Sequence, residues 1–140
     1  MTVRVERDFF VDASPEAVWA FLEDPSNRAR AISLVESFET EDETTLWHLK
    51  LPILGVGPTI TVRTRPLDRR SPEYVRFVGE SSVFDVTGEH HIDQTEGKTS
   101  VHTRFEVTGR LPGVERFFEK RFDREIGNLE NQLVAFLENR

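Results

Sequence analysis

From Leu34 to Gly109 apolar residues recur at a period of two, broken only by short clusters of turn formers. Such alternation is the mark of strands with one buried and one wet face. The expected strands are Val35 to Glu41, Thr45 to Leu51, Thr59 to Leu67, Tyr74 to Glu80, Ser82 to Asp93 and Thr99 to Gly109. Between them lie Glu41-Asp42-Glu43, Gly55-Val56-Gly57-Pro58, Arg70-Ser71-Pro72 and Glu96-Gly97-Lys98, all rich in turn formers. Connections this short join neighbouring strands antiparallel, so the middle of the chain is expected to be a meander.

The two ends read differently. Val3, Val5, Phe9 and Val11 share one face of a further strand. Asp12-Ala13-Ser14-Pro15-Glu16 then opens a helix, with Ser14 as N-cap and Pro15 at the first helical position. Val18, Trp19, Phe21 and Leu22 form its apolar side; Asp24-Pro25-Ser26-Asn27 ends it, and a second short helix is expected over Arg28 to Ile32. After Leu111-Pro112-Gly113, the span Val114 to Leu137 reads as one helix about 36 Å long. Val114, Phe118, Phe122, Leu129, Leu133 and Phe136 line one face, and Gly127 marks a kink or a close backbone contact.

The expected fold class is therefore α+β, in the order β-α-α-β-β-β-β-β-β-α, as one domain over residues 1–140. A curled antiparallel sheet of about seven strands and one long amphipathic helix bury both apolar faces when the helix lies across the concave side. A curved sheet does not press evenly along a straight helix, which leaves a cavity between them.

Composition narrows the function. A net charge of −7 argues against nucleic acid or anionic lipid as the main partner. The absence of cysteine removes disulfides, thiolate metal sites and a cysteine nucleophile. No stretch approaches the roughly 20 apolar residues of a membrane span, and the N-terminus lacks the apolar core of a secretory signal, so a cytoplasmic location is expected. Gly55-Val56-Gly57 has neither the spacing nor the lysine of a phosphate loop, and the strand-like Thr59-Ile60-Thr61-Val62 follows where a dinucleotide fingerprint needs a helix.

The order of elements and several motifs resemble the START-like superfamily of helix-grip domains, also called SRPBCC, over essentially the whole chain. The opening from Phe9 to Pro25 is similar to the family's entry strand and first helix. Gly55-Val56-Gly57-Pro58, the strand with Gly88, Gly97-Lys98-Thr99-Ser100-Val101 and Val107-Thr108-Gly109-Arg110-Leu111 resemble the branch of carbon monoxide dehydrogenase-associated proteins. The polyketide cyclase and lipid transport group is the next most similar. Proteins of the dehydrogenase-associated branch often continue into a linker and membrane anchor; this sequence stops at Arg140, so the resemblance does not carry membrane attachment over.

The resemblance implies an apolar cavity for a hydrophobic small molecule such as a lipid, quinone or polyketide, with no cofactor. The candidate ligand-binding residues are Trp47, Leu49, Leu51, Leu54, Val62, Phe77, Phe84, Val86, His90, Phe105, Phe118, Arg121, Phe122, Glu125 and Leu129. Leu51 to Pro58 would be an apolar lip at the cavity mouth, gating entry or making a transient membrane or protein contact; the alternative is that it packs under the end of the long helix.

His90 is the inward histidine, since it shares a face with Phe84, Val86 and Ile92, whereas His48, His91 and His102 point outward. One inward histidine does not make a metal site, and no metal is expected. Glu125 falls at the centre of the long helix's apolar stripe. It is read either as an ion pair with Arg121, reaching Arg63 or Arg65, or as a polar handle for a ligand. Three functions follow: a non-enzymatic carrier, a cyclase- or dehydratase-like enzyme using His90 and Glu125 as acid and base, or an interaction module docking through Leu51 to Pro58. Ser81 and Ser82 lack the G-x-S-x-G setting of a nucleophile.

Overall fold

A computed structural model of the chain describes residues 2–51 and 59–139. Strand β1 (Thr2–Val11) is followed by helices α1 (Pro15–Glu23) and α2 (Pro25–Ala31). Then come β2 (Val35–Glu41), β3 (Thr44–Leu49), β4 (Ile60–Arg70), β5 (Tyr74–Glu80), β6 (Phe84–Thr95), β7 (Lys98–Gly109) and α3 (Val114–Glu138). All seven strands form one antiparallel sheet in the order β1-β7-β6-β5-β4-β3-β2. The meander from β2 to β7 therefore closes against the first strand, and α1 and α2 carry the chain from one sheet edge to the other.

Local chemistry explains most boundaries. The β6–β7 hairpin turns through Glu96 and Gly97, both at positive φ (48° and 85°), as the tightest hairpin turns require. Ser14 Oγ accepts from Ala17 N at 3.3 Å and caps α1, with Pro15 in the first turn. Helix α2 begins earlier than the sequence reading placed it. Asp24 Oδ1 accepts from Ser26 N at 2.9 Å, and Pro25 opens the helix, so Asp24-Pro25-Ser26 is a start signal as well as a stop. Strand β6 begins late, at Phe84, because Ser81 Oγ takes the amides of Val83 (3.2 Å) and Phe84 (3.0 Å) and bends the chain there. Register shifts in β2 near Glu36 and in β4 near Leu67 are bulges, which add curvature to the sheet.

The apolar face of α3 lies on the concave side of the sheet. Val114, Phe118, Phe122, Ile126, Leu129 and Leu133 are buried along it, each large side chain contributing about 1.5–3 kcal/mol of transfer free energy. Ile126, absent from the stripe read off the sequence, has no exposed surface. The core divides in two. Phe9, Val11, α1, Ile92, Val101 and the C-terminal half of α3 form one cluster. The residues of β3, β4, β6 and β7 that face the N-terminal half of α3 form the other. Arg7 of β1 pairs with Glu130 of α3 at 3.1 Å, and its guanidinium lies 3.6 Å from where a Cβ on Gly127 would stand. That is the close contact anticipated at Gly127, at a distance that would admit alanine.

Candidate functional site

Strand parity sends Trp47 and Leu49 of β3, Val62 of β4, Phe77 of β5, Phe84, Val86 and His90 of β6, and Phe105 of β7 toward α3. There they meet Phe118, Phe122 and Leu129. These side chains do not fill the space between them. They enclose a chamber of about 120 Å³, close in size to apolar cavities that hold one small aromatic ring. Its walls include several aromatic rings packed edge to face, among them Phe105 against Phe122 (5.3 Å between centroids) and Phe84 against Phe118 (4.8 Å). Gly88 keeps the β5–β6 wall thin. A Cβ there would overlap the Phe77 ring and stand 2.9 Å from Phe105 Cε1.

A second, polar cavity of about 360 Å³ adjoins the first. Trp19, Glu23, Thr40, Asp42, Glu43, Arg65 and Arg69 contribute to its wall. Arg28, Thr64, Phe77 and His90 line both cavities, so these four side chains form the neck between the apolar chamber and the polar vestibule.

At the neck, Thr64 Oγ1 accepts from Trp47 Nε1 (2.8 Å) and faces the Thr45 carbonyl at 3.5 Å. His90 Nδ1 is 2.8 Å from Thr103 Oγ1. Burial, with the charge of Arg28 and then His91 adding to it, pushes the His90 imidazole down to about 3, so the ring is neutral at ordinary pH. Arg28 reaches the same place from α2, with its guanidinium 5.4 Å from the Trp47 ring centroid. Its Nε is buried without a hydrogen-bond partner, and among the described residues no carboxylate forms an ion pair with it. Burial pushes its pKa down to about 10, against the opposing pull of Asp24, so it remains charged.

Two candidates from the sequence fall elsewhere. The carboxylate of Glu125 is buried but does not line the chamber. One oxygen accepts from Ser33 N at 2.9 Å and the other from the Ser33 hydroxyl, which pins the link between α2 and β2 onto α3. Neither the Arg121 ion pair nor the ligand handle is formed. Arg121 is half-buried, 5.4 Å over the Phe117 ring, because its place at the border of the stripe turns it away from the chamber. Leu51 is buried in the same core without reaching the chamber wall. Leu54 and the rest of the expected lip, Pro52 to Pro58, lie outside the described residues. The sequence reading did not single out Arg28, Ile32, Leu34, Val35 and Thr64 as wall residues. The Asp24-Pro25-Ser26 cap would have set α2 in its true register and placed Arg28 mid-helix, on the side that meets the sheet.

Comparison with known proteins agrees with this architecture. The sequence profile of the family described as "Polyketide cyclase / dehydrase and lipid transport" matches residues 2–134. The chain belongs to this family. Its fold is shared by solved members of the START-like superfamily. A START superfamily protein from Mycobacterium smegmatis superposes with a TM-score of 0.74 at 12% identity, covering 97% of each chain. The Zhui aromatase/cyclase from Streptomyces sp. R1128 gives 0.73 at 18% identity, over 100% of this chain and 96% of that one. A conserved protein from Geobacillus kaustophilus gives 0.74 at 18% identity, over 98% and 96%. No curated protein matches the sequence. The family and the helix grip are thus established, while the finer likeness to the carbon monoxide dehydrogenase-associated branch is not among the matches. Among the described residues no helix is long and apolar enough to cross a membrane, and no cluster of three metal-binding side chains occurs.

Proposed function

We propose that this protein binds a hydrophobic small molecule, such as a lipid, quinone or polyketide-like compound, in the chamber under α3, as a carrier rather than a catalyst. The observation that carries this reading is the chamber itself: a gap walled by apolar and aromatic side chains, with a few polar groups gathered at one neck. Sites for drug-sized molecules occupy about 300–1,000 Å³. A ligand of that size would hold its apolar end in the chamber and extend through the neck into the vestibule. The family description and the printed names of the solved relatives support a ligand of this class.

The cyclase reading needs an acid and a base facing one cavity. Glu125 is engaged with Ser33 and stands off the chamber wall, and His90 is too weak a base to take a proton efficiently near neutral pH. Native mass spectrometry of the freshly purified protein, followed by organic extraction, tests the proposal. A stoichiometric hydrophobic molecule is the expected result. Protein that is empty and also ignores a panel of fatty acids, quinones and aromatic polyketides would overturn it.

A further inference from the structure

The groups at the neck narrow the class of ligand, granted the binding reading above. Buried arginines are normally paired or hydrogen-bonded, because an uncompensated charge away from water is costly. Arg28 has neither kind of partner among the described residues: its Nε is buried and unsatisfied. Asp24, the carboxylate one turn earlier on the chain, holds Ser26 instead, at 2.9 Å to its amide and 2.8 Å to its hydroxyl. Thr64 turns its hydroxyl to Trp47 and Thr45 and is not free to compensate.

His90 completes the neck. Its Nδ1 faces Thr103, and its Nε2 makes no hydrogen bond among the described residues. In the tautomer whose Nδ1 accepts the Thr103 proton, Nε2–H is a donor. A fixed cation beside a neutral donor, at the rim of an apolar chamber, is suited to a planar anionic oxygen group. The vestibule wall carries Glu23, Asp42 and Glu43 as well as Arg65 and Arg69, and Arg69 pairs with Glu43. It therefore offers an anion no comparable unopposed charge, which places the head group at the neck.

We infer that the ligand is an amphiphile ending in a carboxylate, with Arg28 and His90 gripping the carboxylate at the neck and the apolar body filling the chamber. Arginine matches a carboxylate with two parallel donors, which lysine does not.

The test is calorimetric titration of the delipidated protein with decanoate and with decanol, which share a chain and differ in the head group. Decanoate is expected to bind about 10- to 100-fold more tightly, as a charge-assisted contact implies. Because the site is buried, the preference should persist at high salt. Arg28→Gln should abolish it while leaving decanol binding unchanged, and Arg28→Lys should keep part of it. The melting temperature of the ligand-free Arg28→Gln protein should hold or rise, since a buried unpartnered charge is removed.

Equal binding of the two probes, or a preference that survives Arg28→Gln, overturns the inference and leaves the binding reading standing. A drop in melting temperature with the preference intact would make Arg28 a structural cation, which also overturns it. Should Arg28→Gln fail to fold, an undiminished preference in Arg28→Lys counts against it in the same way. Failure of both probes to bind the wild-type protein overturns the binding reading and the inference together.

Discussion

Acid should destabilise this protein through His90. The imidazole is buried and neutral in the folded chain, pushed down to about 3 by burial, then by Arg28 and by His91. In the unfolded chain it returns to about 6.5. Between those values the unfolded state binds one more proton than the folded state, so stability falls as pH falls through the window. From about pH 7 to about pH 4.5 the linkage is worth about 2.5 kcal/mol, a large share of the roughly 5–15 kcal/mol that holds a domain folded. The assay is urea unfolding at both pH values for the wild type and for His90→Gln, which does not titrate. Other groups contribute equally to both proteins and cancel in the difference. The wild-type midpoint should drop by roughly 1–2 M more than that of the variant. Equal acid losses in the two proteins would refute the reasoning, because they would mean that His90 is protonated in the folded state or is not buried.

Two further outcomes follow from the site. Glu125→Gln keeps the shape of the side chain but weakens its hold on Ser33, so it should cost about 1–3 kcal/mol in urea unfolding and leave ligand affinity unchanged; lost affinity at intact stability would return Glu125 to the cavity. Gly88→Ala sets a methyl group against Phe77 and Phe105. It should destabilise by about 1–3 kcal/mol and weaken decanol binding in the same titration, by driving those rings into the chamber.

Much of the fold follows from the chain alone because its causes are local. Whether a residue on a strand points in or out depends only on parity, so Trp47, Phe84, Val86, His90 and Phe105 could be assigned to one surface before any strand was paired. The turn at Glu96-Gly97 and the cap at Ser14 likewise depend on residues within a few positions. Periodicity fixes a side chain's direction relative to its own element, but it does not say what stands opposite. Glu125 was correctly placed inside, yet its partner Ser33 lies 92 residues away in the chain. Arg28 reaches the chamber because α2 crosses between the sheet edges, a path set by strand pairing. The chamber is where a curved sheet and a helix fail to meet. Its size and its neck are properties of two surfaces together, and only the tertiary structure decides them.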